Sequence, residues 1–145
     1  MFKGHYIHSI DSKGRIAIPA KLRKYISPDA EESFVMLKGT EKCIDIYPRD
    51  RWAEIETRLE KLNPFNPKQA RLIRIMLDNA QEDKMDSQSR ILIPQELLDY
   101  AGIKNEVLVL GVLKKIEMWD PQEYEKYKLK SAETFEEIAS EVMSL

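Results

Sequence analysis

The sequence predicts a mixed α+β protein built from two pseudo-symmetric half-domains with flanking helices, and three observations carry that prediction. The motif Asp11-Ser12-Lys13-Gly14-Arg15-Ile16-Ala17-Ile18-Pro19 returns 75 residues later as Asp86-Ser87-Gln88-Ser89-Arg90-Ile91-Leu92-Ile93-Pro94. Runs of strand length, apolar or alternating, recur around both copies. Stretches with apolar residues three and four apart, a helical period, follow each copy. Two copies are too few for a stacked solenoid, but they suit a pseudo-two-fold pair that buries one common face.

In the first copy, Tyr6 to Ile10 reads as a strand and residues 11–14 as a turn of Asp, Ser, Lys and Gly. Arg15 to Ile18 follows as a strand, with Ile16 and Ile18 on the core face and Arg15 and Ala17 facing out. Pro19 suits the first position of a helix to Tyr25, where its missing N–H needs no partner. Phe34 to Leu37 reads as a strand buried on both faces, Gly39-Thr40 as a turn, and Cys43 to Tyr47 as the second arm of a hairpin. The second copy supplies Ala80 to Met85, Arg90 to Ile93, a helix from Pro94 closed at Gly102, then Val107 to Leu110 and Lys115 to Trp119. Ile44-Asp45-Ile46-Tyr47 returns as Ile116-Glu117-Met118-Trp119, and Gly39 as Gly111, now 72 residues apart. The second copy is therefore three residues shorter between its conserved pieces.

Trp52, Ile55, Leu59 and Leu62 make one apolar helical stripe that Pro64 stops. Asn66-Pro67 caps a second helix running to about Asp78. Asp120-Pro121 starts a C-terminal helix carrying Phe135, Ile138, Ala139 and Val142. The expected organisation is a half-domain at residues 1–50, a helical connection at 51–78, a second half-domain at 79–121 and a C-terminal helix at 122–145. With no Gly/Ser linker between them, the halves are expected to behave as one cooperative unit.

The 145 residues carry 43% hydrophobic and 33% charged side chains, the balance of a folded soluble chain. The longest apolar run, Val107 to Leu113, is too short to cross a bilayer, and no signal-peptide core follows Met1. The cytoplasm is the expected compartment. A single cysteine, Cys43, excludes an intramolecular disulfide and a cysteine-rich zinc site. It lies in an apolar strand and reads as a buried thiol. His5 and His8 face opposite sides of a strand, so no metal site is expected. Tyr47, Trp52, Trp119 and Tyr124 recur at the strand-to-helix junctions and read as core or subunit-contact anchors rather than base-stacking platforms. No phosphate loop, dinucleotide fingerprint, nucleophile elbow or metalloprotease helix is present. Neither an enzyme nor a cofactor or small-molecule substrate is expected.

The net charge is −2, which alone argues against nucleic acid, but the charge is unevenly placed. Residues 1–24 hold Lys3, Lys13, Arg15, Lys21, Arg23 and Lys24 against the single acid Asp11. Residues 117–145 hold eight acids against three lysines. A phosphate backbone responds to the local patch within a Debye length, not to the total.

Met1-Phe2-Lys3-Gly4-His5-Tyr6, His8 through Arg15 and Ile18 through Arg23 resemble the N-terminal signature of the MraZ family. The second Asp-x-x-x-Arg motif, Tyr100-Ala101-Gly102 and Ile116 through Asp120 extend the resemblance over essentially the whole chain. It implies a double swapped-hairpin β-barrel of the AbrB type with both halves in one chain. It also implies a ring-shaped homo-oligomer at the nucleoid that binds repeated promoter DNA sites, usually as a repressor of its own division-and-cell-wall gene cluster. Ser89 stands where the family often keeps glycine, so the second turn is expected to depart from the first.

Arg15 is the candidate base reader, since a guanidinium fork can bond bidentately to guanine O6 and N7. Lys3, Lys13, Lys21, Arg23 and Lys24 are candidate phosphate contacts. Asp11 and Gly14 support the turn, Asp11 by accepting turn N–H groups or holding Arg15. From spacing alone, Asp11 and Arg15 read as a hairpin-stabilising ion pair without a ligand. The basic neighbours and the resemblance tip the balance to DNA. Arg90 is a weaker DNA candidate: beside Glu82, Asp83 and Glu96, it and Asp86 read first as support for the core. The rival reading is a ring whose partner is a protein.

Overall fold

The computed structural model describes residues 1–145. The first half supplies β1 (His5–Ser9), β2 (Arg15–Ala17), α1 (Ala20–Arg23), a 3-10 turn (Pro28–Ala30), β3 (Ser33–Lys38), β4 (Ile44–Pro48), α2 (Arg49–Glu60) and α3 (Pro67–Asp78). The second supplies β5 (Gln81–Lys84), β6 (Arg90–Leu92), α4 (Gln95–Ala101), β7 (Glu106–Val112), β8 (Lys115–Trp119), α5 (Pro121–Lys128) and α6 (Phe135–Met143). The mixed α+β class and the order of strands are those the sequence predicts.

The strands form an antiparallel six-stranded sheet in the order β1-β7-β8-β4-β3-β5 and a two-stranded ribbon of β2 with β6. Each half thus sends its first strand into the other half, β1 against β7 and β5 against β3. Two registers place repeat-equivalent residues opposite each other: Ile16 against Ile91 in the ribbon, Asp45 against Glu117 in the sheet. A pseudo-two-fold axis runs through both pairs.

Alternation decides which side chains go inside. Ile16, Ile18, Ile91 and Ile93 are buried, while Arg15, Ala17, Arg90 and Leu92 face outward. The ribbon's isoleucines meet the inner face of the sheet, which offers Phe34, Met36, Ile44, Ile46, Val109 and Met118. On the outer face, Trp52 of α2 packs on Val35 and Leu37, and Tyr124 of α5 packs on Trp119. The ring centroids are 5.8 Å apart for Tyr47–Trp52 and 5.1 Å for Trp119–Tyr124, so these aromatics are packing anchors, as expected.

Several expectations need correction. The helix expected from Pro19 to Tyr25 is one turn, and Pro19 caps it from an extended conformation (ψ 139°) while its carbonyl accepts from Leu22 and Arg23. The single C-terminal helix is two, α5 and α6. Leu129 ends the first, and the Thr134 side chain accepts from the N–H of Glu137 to start the second, a local bond that outcompetes helix continuation. The equivalence of Gly39 with Gly111 also fails. Inner-face Phe34 and Met36 correspond to Val107 and Val109, 73 residues on, so the three-residue shortening falls partly before the hairpin and partly within it. Asn66 does cap α3, accepting from Lys68 and Gln69, and Gly102 closes α4 at φ 69°.

Candidate nucleic-acid interface

The Asp-x-x-x-Arg spacing builds a clasp. Asp11 Oδ1 accepts the backbone N–H groups of Lys13 (2.9 Å) and Arg15 (2.8 Å), and Oδ2 accepts from Arg15 Nε at 2.7 Å. The Arg15 backbone N–H, foremost, holds the Asp11 carboxyl at about 2, against a burial effect of opposite sign, and the Arg15 side chain adds to the lowering. An ionised carboxylate pinned at three donors fixes the arginine by its Nε. Both Nη groups then point onward with no partner in the chain.

The second motif repeats this geometry. Asp86 Oδ1 accepts from Gln88 and Arg90 at 2.9 Å each, and Oδ2 from Arg90 Nε at 2.9 Å. The expected departure at Ser89 does not occur. Gly14 turns at φ 86°, whereas Ser89 takes φ 59°, near the left-handed minimum that an L residue can occupy at modest cost.

Pairing of β2 with β6 brings the two clasps together. Ala17 lies opposite Arg90 and Arg15 opposite Leu92, so the arginines are diagonal neighbours on one outward face. Arg90 Nη1 comes within 3.6 Å of Asp11 Oδ2, linking the clasps across the pseudo-axis. Both arginine side chains are about a third exposed, open enough for a ligand and held enough to be preorganised. Sequence reasoning missed Leu92, 48% exposed directly opposite Arg15 on the same face. Its alternation with buried Ile91 is the signal that could have placed it there.

The other bases divide. Lys13 is exposed at the turn tip, and Lys21 and Lys24 are exposed on and beside α1, with Lys24 Nζ 5.2 Å above the Tyr25 ring. Arg23 turns inward, its Nη1 donating to the carbonyl of Ile18, so part of its guanidinium is a structural tie. Lys3 is not brought to the ribbon. It precedes β1 beside Gly111, and β1 runs away from it toward the Asp11 turn, which at about 3.3 Å per residue separates it from Arg15 by roughly 20 Å or more. The repeat positions of Lys13, Lys21 and Lys24 are Gln88, Glu96 and Asp99, so the second half lacks the basic flank.

A second polar cluster sits where the pseudo-axis crosses the sheet. Cys43, Asp45 and Glu117 offer ligand atoms within 4.8 Å of one another. The cation serving them is Lys115, whose Nζ lies 2.9 Å from Asp45 Oδ1 and 3.0 Å from Glu117 Oε2. Burial opposes the ammonium, but its hydrogen bond to Asp45 and the pull of both carboxylates raise Lys115 above an ordinary lysine. Burial first, then the charges of Glu117 and Asp45, push the Cys43 thiol up and keep it protonated, as expected of a buried structural thiol. No helix is long and apolar enough to cross a membrane.

Comparison with known proteins gives this arrangement a family. The family described as "MraZ protein, putative antitoxin-like" matches twice, over residues 1–75 and 76–144. A protein of Desulforamulus reducens is 36% identical over all of this chain and 99% of its own length, and is named transcriptional regulator MraZ. Relatives with the same name in Clostridium tetani and Caldanaerobacter subterraneus are 39% and 41% identical, covering 100% and 96% of this chain and 99% and 94% of their own. With two tandem matches and full-length relatives, the chain belongs to the MraZ family, a family of transcriptional regulators and not of enzymes.

Proposed function

We propose that the β2–β6 ribbon is a sequence-specific DNA-reading surface. The observation that carries this is the pair of aspartate-clasped arginines, Arg15 and Arg90, held side by side, with both Nη groups of Arg15 unpartnered and Nη1 of Arg90 leaning on Asp11 at 3.6 Å. Each presents the fork that reads guanine, and a bidentate contact is worth about 1–3 kcal/mol of discrimination. Leu92, opposite Arg15 on the same face, offers an apolar contact of the kind that suits a thymine methyl. Lys13, Lys21 and Lys24 meet phosphates on one flank, with Arg23 contributing what its bond to Ile18 leaves free. Lys3 falls outside this footprint.

The exchange of first strands between halves supports a double swapped-hairpin barrel of the AbrB type. One ribbon with few phosphate contacts binds weakly, so useful affinity on a chain of net charge −2 comes from a ring presenting several ribbons to repeated sites. In that reading the protein is a nucleoid-associated repressor of its own division-and-cell-wall gene cluster.

Fluorescence anisotropy tests it, with the upstream promoter and a scrambled duplex across a salt series. The promoter should bind in preference and lose affinity steeply with salt, and Arg15→Ala and Arg90→Ala should each erase most of the preference. Equal binding to both duplexes, indifferent to either arginine, would sink the proposal and point to a protein partner.

A further inference from the structure

Two faces of this chain lack a partner, and they are complementary. In α6, Phe135, Ile138, Ala139 and Val142 form one apolar stripe, and Phe135 and Val142 remain 80% and 74% exposed. Residues 131–145 carry Glu133, Glu136, Glu137 and Glu141 and no base, and none of these acids makes an ion pair. Between α2 and α3 lies a groove of about 260 Å³ lined by Ile55, Arg58, Leu59, Leu62, Leu72 and Met76. Arg58 on its wall and Lys68, Arg71 and Arg74 on α3 are likewise without ion pairs. A second groove between the same two helices, on the opposite side of their contact, carries Glu56 and Glu60, the wrong sign for an acidic helix.

We propose that α6 of one copy docks its apolar stripe into the α2–α3 groove of the next copy, with Glu136 and Glu141 flanking the stripe and meeting Arg58 and Arg71. The inference rests on the oligomeric reading above and supplies its contact.

Position in the fold favours a neighbouring copy. Helix α5, which leads to α6, packs on β7 beside the sheet edge β1, whereas α2 and α3 pack on β3 beside the opposite edge β5. Donor and receptor thus sit toward opposite ends of one sheet. Joining them between copies is a head-to-tail contact, the kind that closes into rings. The preceding helix offers no seat, because its Tyr124 and Tyr127 already pack on Trp119 and the rest of its surface is charged. In the first half the helix after α2 is seated: α3 buries Ala70 and packs Met76 beneath it. Its counterpart α6 has no such seat within its own chain.

Sedimentation velocity on the full chain tests the contact, with circular dichroism to confirm that each variant is folded. Glu136→Lys/Glu141→Lys and Arg58→Glu/Arg71→Glu should each raise the concentration at half-assembly by about tenfold or more. An equimolar mixture of the two variants should regain assembly, since each keeps the surface the other needs. Assembly like wild type in both variants would overturn this contact while leaving the ring intact. So would a mixture that stays dissociated while a chain carrying all four reversals recovers its thermal stability as a monomer, because that outcome places α6 on its own groove. A wild type that is monomeric throughout would overturn the ring itself.

Discussion

At the scale of single residues, Asp11 is a fixed negative charge whose work is to aim an arginine. Its folded pKa of about 2 lies below its ordinary 3.8, so its clasp stabilises the fold fully above about pH 4 and is lost as pH falls through 2. The melting temperatures of wild type and Asp11→Asn should therefore differ at neutral pH and converge in strong acid. The two turns differ in tolerance. Gly14→Ala should cost about 1–2 kcal/mol, because φ 86° excludes an L residue and the new Cβ would lie 3.1 Å from the Ile93 carbonyl. Ser89→Gly should be neutral or stabilise by about 0.5 kcal/mol by relieving a positive φ, and chemical denaturation of both variants reads the contrast.

At the scale of elements, the flanks of the ribbon are unequal. Lys21 and Lys24 stand on and just after α1, which follows the ribbon strand β2, whereas Glu96 and Asp99 hold the repeat positions in α4. Lys21→Ala/Lys24→Ala should reduce the slope of log affinity against log salt by about 2 without changing the sequence preference, whereas Glu96→Ala/Asp99→Ala should tighten binding. Much of this level was legible in the sequence. Period-two alternation named Ile16 and Ile18 as core and turned Arg15 outward, because in a short strand burial is a local property, and the second copy, Arg90 to Ile93, follows the same pattern. Pairing was not legible, since nothing in Tyr6 to Ser9 tells that β1 crosses to β7. For the same reason the placement of Arg90 beside Arg15 was not legible: its acidic neighbours are close in sequence, but the cross-strand register decides that contact. The break between α5 and α6 was missed because a capping Thr134 weighs little against a continuing apolar stripe.

At the scale of the whole molecule, the exchanged strands predict that the halves unfold as one cooperative unit. Tryptophan fluorescence should show this, since Trp52 and Trp119 report from different halves. Trp52→Phe and Trp119→Phe single-tryptophan chains should unfold in transitions that coincide with far-UV circular dichroism on the same chain. Separate midpoints would mean that the halves melt apart.

The centre of the sheet shows what a covalent join between two copies permits. Asp45 and Glu117 face each other across the pseudo-axis, and Lys115 bridges both while its repeat position is Cys43. Replacing Lys115 by Met should cost about 3 kcal/mol, read by denaturant titration, by leaving two enclosed carboxylates without a counter-ion. Two identical chains meeting at a true dyad could contribute either two lysines to this spot or none, never one. Held in a single polypeptide, the halves are free to diverge, and one ammonium can serve a pair of mirror-placed acids. Fusion thus admits an odd-numbered ionic cluster on a symmetry axis, an arrangement closed to any homodimer.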